Sequence, residues 1–190
     1  MKKVKRLTAK TMLFVIAAAF VFSLLLFTVP LITFRHTPYE KVCAAAAESY
    51  GISPAEYQVQ FVKDLKDEIG ESVQGLYLGC NLIDGVKVFK IQISDQPLRV
   101  LMTEAIFHEF AHAAQDKYDL SFGKYTREQH AEILSFSVMQ KNGYWWESLY
   151  LLTAHTFFEK PASYRAPGEL WQITLGMTSL TNNLNLPKNS

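Results

Sequence analysis

Between positions 12 and 34 the chain carries no charged residue, and the 23-residue run MLFVIAAAFVFSLLLFTVPLITF has no polar face. About 20 apolar residues in a helix cross a hydrocarbon core of roughly 30 Å, so the run predicts an N-terminal transmembrane helix. A secretory signal has a shorter apolar region of about 7–15 residues and a small-residue cleavage site. Here Leu31, Ile32, Thr33, Phe34 and Arg35 close the run, which favours a retained anchor. The expected division is a cytoplasmic stub and anchor over 1–35 and one domain over 36–190.

Beyond the run the pattern changes period. Residues 38–50 read as a short helix, with Pro38 near its start, an Ala-rich interior and Gly51 as its stop. Ser53-Pro54-Ala55-Glu56 has the form of a capping box. Tyr57, Val59 and Phe61 alternate as in a strand, whereas Tyr57, Phe61, Leu65 and Ile69 fit a helix. A strand giving way to a helical turn reconciles the two. Residues 75–83 and 86–93 flank Asp84-Gly85, a dipeptide suited to a two-residue hairpin turn because it tolerates positive φ. The alternation slips near Phe89. From Pro97 onward the period is helical, predicting helices at 97–117, 126–142, 144–158 and 167–181, broken at Gly123, Gly143 and Pro161. A small antiparallel sheet followed by helices is an α+β arrangement.

Charge sharpens this picture. Lys2, Lys3, Lys5, Arg6, Lys10 and Arg35 are the basic residues of the first 35, with no acid among them. Removing those 6 from the chain's 19 leaves 13 basic against 18 acidic residues, a charge of −5 over 36–190. A mildly acidic body lacks the clustered basic face that nucleic-acid binding needs. Five basic residues before the apolar run and one after it predict a cytoplasmic N-terminus and an extracytoplasmic domain. Cys43 and Cys80 lack metal-site spacing; they would form one disulfide or stand as two separate thiols.

The chemistry concentrates in His108-Glu109-Phe110-Ala111-His112. Residues i and i+4 share a helix face, so both imidazoles can point at one ion. Zinc takes imidazole nitrogen and keeps an open position when three protein ligands hold it. Glu109, one step round the helix, is placed to act on a water as general base. Ala105, Ala111 and Ala113 are small neighbours that let a second helix pack closely. Sixteen residues after His112, Glu128 and Glu132 are again i and i+4. One of them can bind the metal while the other orients a ligating imidazole.

The pair HEFAH and EQHAE resembles the gluzincin clan of zinc metallopeptidases over about residues 86–142. The resemblance implies Zn²⁺ as cofactor, with His108, His112 and Glu128 as ligands, Glu109 as base and Glu132 supporting a histidine. Glu132 stands where the family more often has Asp, so the two glutamates are open to exchanging roles. The resemblance also implies a compact zincin-like domain with an active-site helix pair. In it, strand 86–93 would edge the cleft and pair with a polypeptide substrate. For an oxyanion donor it leaves two candidates, His155 and Tyr144. His130 lies off the face of the two glutamates, which predicts a surface role. The aromatic clusters Tyr144-Trp145-Trp146 and Phe157-Phe158 suit core packing or a lipid interface.

Peptide-bond hydrolysis by a membrane-tethered zinc enzyme is the first functional expectation. A tethered module with structural zinc or none is the second, and zinc-dependent hydrolysis of a cell-wall amide the third. A Gly-rich phosphate loop, a paired-aspartate pattern and a serine nucleophile elbow are all absent from the sequence.

Overall fold

The computed structural model describes residues 9–34, 38–95 and 99–157, with side chains placed at 11–25, 28, 38–95 and 100–153. Its elements are α1 (Ala9–Phe34), α2 (Tyr39–Ser49), a 3₁₀ turn (Pro54–Glu56), β1 (Tyr57–Val62), β2 (Gly75–Ile83), β3 (Val86–Ser94), α3 (Arg99–Tyr118), α4 (Arg127–Lys141) and α5 (Trp145–Phe157). The α+β expectation stands, with two corrections.

The first concerns the transmembrane helix. Among the described residues no helix is long and apolar enough to cross a membrane. Helix α1 packs against α3 and α5.

The second concerns the sheet, which is mixed. Its order is β1-β3-β2, with β1 parallel to β3 and β2 antiparallel to it. A parallel neighbour needs a crossover connection, and the hairpin between β2 and β3 fills the chain's next strand positions, so β1 closes on the far side of β3. Strand β3 is therefore central, and β2 forms the edge that the sequence assigned to 86–93.

The hairpin itself follows its turn dipeptide. Asp84 and Gly85 have φ of +49° and +80°, the doubly positive pair of a two-residue hairpin turn. Tyr77 pairs with Ile91 and Cys80 with Phe89, so Leu78 and Gly79 oppose Lys90 alone. This bulge is the physical origin of the slipped alternation near Phe89. On β3, Phe89, Ile91 and Ile93 are buried in the core.

Helix α2 begins after Pro38 and stops at Tyr50, with Gly51 at φ +63°. The capping box at Ser53 forms, Glu56 Oε2 accepting from Ser53 N at 2.7 Å. The helical turn expected after β1 does not form. Asp67 Oδ1 instead accepts the amides of Ile69 and Glu71 at 3.1 and 2.8 Å. Such a side chain competes with helix for backbone donors, and Ile69 is left 81% exposed.

Helix α3 is the spine. Ile106, Phe107, Phe110, Ala111, Ala113 and Ala114 are fully buried, between the sheet on one side and α2, α4 and α5 on the others. Its last turn is tied down by Lys117, which donates to Gly51 O and Glu56 Oε1 at 2.9 and 2.7 Å. Tyr118 Oη also donates to Tyr50 O at 2.9 Å. The cysteines stand as free thiols, Cys43 buried and Cys80 exposed. Burial, helped by Glu40, pushes the Cys43 thiol up to about 12. The helix expected at 167–181 lies outside the described residues, as do the side chains of His155, Phe157 and Phe158.

Candidate metal centre

Two helices build the centre. In the middle of α3, where the core fixes the backbone, His108 and His112 present Nε2 atoms 3.2 Å apart. The third donor comes from the first turn of α4. Thr126 caps that helix: its hydroxyl accepts from Gln129 N at 3.1 Å, and Gln129 Oε1 accepts from Thr126 N at 3.1 Å. This reciprocal cap fixes the turn that carries Glu128. Glu128 Oε2 then lies 3.2 Å from His108 Nε2 and 3.3 Å from His112 Nε2.

The three spacings test whether a metal fits. Donors on a tetrahedron with bonds of about 2.0–2.1 Å stand about 3.3–3.4 Å apart, which matches this triangle. The protonation pattern agrees. Gln115 donates its amide hydrogens to Arg127 O at 2.9 Å and His130 Nδ1 at 3.0 Å. That orientation turns Gln115 Oε1 toward His112 Nδ1 at 2.8 Å, so Nδ1 carries the proton and Nε2 keeps its lone pair for the centre. Arg127 Nε also approaches His112 Nδ1, at 3.4 Å, as if to donate. The two roles of Nδ1 exclude each other, and the shorter bond, donated to the Gln115 amide oxygen, prevails.

Around the ligands runs a cavity of about 630 Å³, lined among others by Gly75, Tyr77, Glu104, Glu109, Asp116 and Arg127. Tyr77 stacks on the His112 ring at 6.2 Å between centroids, and its hydroxyl donates to Asp116 Oδ2 at 2.8 Å. Asp116 Oδ1 accepts from Arg127 Nη2 at 3.0 Å. Burial and the Asp116 carboxylate push the Tyr77 phenol well above its ordinary range, so it stays a protonated donor.

Electrostatics separates the two carboxylates of the centre. Burial works against the Glu128 anion, yet His108 and His112, in the protonated form in which each Nε2 donates, hold it well below the usual carboxylate range. Burial dominates at Glu109 and raises it, only partly countered by the two histidines. Burial also opposes the His108 cation, but Glu128, Glu109 and Glu104 more than offset it, and His108 is raised. The same cavity thus pushes the two carboxyl groups in opposite directions.

Of the residues expected from sequence, the structure brings together His108, His112 and Glu128 and places Glu109 in the same cavity wall. Glu132 is buried at 3% exposure and belongs to neither the donor triangle nor the cavity lining. His130 is not a surface residue: it is buried, its ring tilted over Phe122 and its Nδ1 bonded to Gln115. The turn of α4 that follows the cap points it back at α3. Tyr144 packs edge-on to Phe107 at 5.4 Å and does not line the cavity. Trp145 stacks on Trp146 at 3.9 Å.

Sequence reasoning missed Gln115, Gly75, Tyr77, Asp116 and Arg127. Gln115 carried a signal, since i+3 from His112 lies on the ligand's own face. Asp116 carried one too, at i+4 from His112, whereas Gly75 and Tyr77 depend on how β2 packs on α3, which no local pattern specifies. Compared with known proteins, the chain matches no family model, no curated protein and no solved structure.

Proposed function

We propose that the chain is a zinc-dependent metallopeptidase. The observation that carries this reading is the triangle of His108 Nε2, His112 Nε2 and Glu128 Oε2, 3.2–3.3 Å on each side, with Glu109 beside it in one cavity. A zinc ion bound there would supply Lewis acidity toward a substrate carbonyl and a water nucleophile.

The remaining chemistry belongs to the chain. Among the described residues His108, His112 and Glu128 form a set of three ligands, the number that supports an open catalytic position over a closed structural site. Glu109 takes the proton of the attacking water and returns it to the leaving amine. Its burial-raised affinity for protons brings it toward the operating range of such a base and acid. The edge strand β2 lines the cavity through Gly75, Leu76 and Tyr77, so an extended peptide can add to the sheet beside the centre. Backbone recognition of that kind suits a polypeptide substrate better than a cell-wall amide.

Zinc content and peptide hydrolysis of the purified full chain test the reading, alongside Glu109→Gln and Glu128→Ala. The parent and Glu109→Gln should each carry one zinc per chain, and Glu128→Ala should lose it. Hydrolysis should fall by about 10²–10⁴-fold in Glu109→Gln. A well-folded parent without zinc would sink the proposal.

A further inference from the structure

We infer that Gly75 is a positioning residue for Glu109, an inference that rests on the metallopeptidase reading above. A Cβ built on Gly75 would lie 2.7 Å from both Cγ and Oε1 of Glu109, and 3.0 Å from its Cδ. Non-bonded carbon atoms prefer about 3.5–4.0 Å, so the Glu109 side chain occupies the space a side chain at position 75 would need.

Backbone conformation gives no other reason for glycine here. Gly70, Gly79, Gly85, Gly123 and Gly143 all have positive φ and open space where a Cβ would stand. Those glycines serve the backbone. Gly75 is the reverse case: its φ is not among the positive ones, so its backbone does not call for glycine, and the nearest obstacle to a side chain is Glu109.

Both backbones at this contact are pinned. Gly75 pairs with the buried Ile93 of β3, and the preceding residue, Gln74, accepts from Ser94 N at 2.8 Å. On the other side, Glu109 sits on α3 next to Phe110 and Ala111, both fully buried. The element free to yield is the Glu109 side chain. The start of β2 therefore acts as a wall that holds the carboxylate in one rotamer, and the bare Cα of Gly75 sets how far the carboxylate reaches across the cavity. The three atoms nearest that added Cβ all belong to Glu109, so a side chain at 75 would act first on the base rather than on His108, His112 or Glu128.

Gly75→Ala in the full chain separates these effects, read by cobalt(II) uptake, visible absorption of the cobalt-loaded protein, and kcat against KM. The variant should bind one cobalt per chain and keep the parent's Tm. Its absorption should shift toward that of Glu109→Gln. A displacement near 1 Å should lower kcat about 100-fold with KM within about twofold. In a Glu109→Ala background, where the space is vacant, adding Gly75→Ala should change neither Tm nor spectrum. If Gly75→Ala alone fails to fold, recovery of folding in that double variant supports the steric opposition, and failure to recover overturns it. Parental kcat and spectrum in a cobalt-loaded Gly75→Ala overturn the positioning role alone. A folded parent that takes up no cobalt overturns the metal reading and the positioning role with it.

Discussion

Gln115 shows how much of the centre depends on a neutral side chain outside the two-histidine motif. It is 2% exposed and makes three hydrogen bonds: Oε1 on His112 Nδ1, and the amide on Arg127 O and His130 Nδ1. Burial foremost lowers His130, in keeping with an Nδ1 that accepts from the Gln115 amide. One residue thus fixes the tautomer of a ligand and joins α3 to the first turn of α4. Gln115→Leu keeps the size and removes all three bonds, leaving His112 Nδ1–H and His130 Nδ1 buried without them. Outer partners of metal ligands are worth about 10–100-fold in affinity, and orphaned buried polar groups cost about 1–3 kcal/mol. Zinc affinity from chelator competition should fall by that factor, and less in Gln115→Glu, which retains the acceptor. Parental affinity in Gln115→Leu would show that His112 needs no partner to hold its tautomer.

At the scale of elements, what was legible depended on how local the deciding interactions are. Asp84-Gly85 names its own turn, and the hairpin of β2 and β3 follows from two residues whose φ values are positive. The i, i+4 spacing of His108 and His112 likewise needs only the helix that carries it. The place of β1 depends on a crossover to β3, and nothing in Tyr57–Val62 encodes it. The expectation of a membrane span over 12–34 rests on the length and apolarity of the run, but among the described residues no helix is long and apolar enough to cross a membrane. One nonlocal tie gives a test. Lys117 of α3 meets Glu56, at the turn before β1, with 2.7 Å to each carboxylate oxygen. Burial opposes the Glu56 anion, but the Lys117 and Ser53 hydrogen bonds prevail and lower it. A depressed carboxylate stabilises the fold above its unfolded value and loses that contribution as pH falls through the folded one. Glu56→Gln should therefore cost about 1 kcal/mol at neutral pH. Protonated Glu56 and Gln are near-equivalent, so the gap should close as pH falls well below 4.5. Denaturant midpoints of the two proteins across that range would reveal a constant gap if the ion pair contributes nothing.

For the whole molecule, the question is whether the metal makes the fold or only rests on it. The triangle joins α3 to α4 at one end, but the same helices meet along Phe107, Phe110, Ala111, Leu134 and Phe136, all fully buried. The Thr126–Gln129 cap closes the first turn of α4 without help from the ligands. A core of that kind stabilises through buried apolar area, so the metal-free chain should keep its secondary structure. Zinc then acts by mass action: free ion at about 100 times Kd adds about 2.7 kcal/mol to the native state. For a chain of this size each kcal/mol moves Tm by about 2–4 °C, giving a shift of about 5–10 °C. Thermal melts with zinc and with excess chelator should differ by that amount in the parent. In Glu128→Ala, which lacks a ligand, they should coincide. Loss of far-UV signal on chelation at 25 °C would mean that the ion supplies folding energy the core does not. Coincident melts in the parent would mean that the native state binds no zinc, and the triangle would then be a hydrogen-bonded cluster of two imidazoles and a carboxylate. The shift itself therefore decides between a metal centre and a polar junction of two helices.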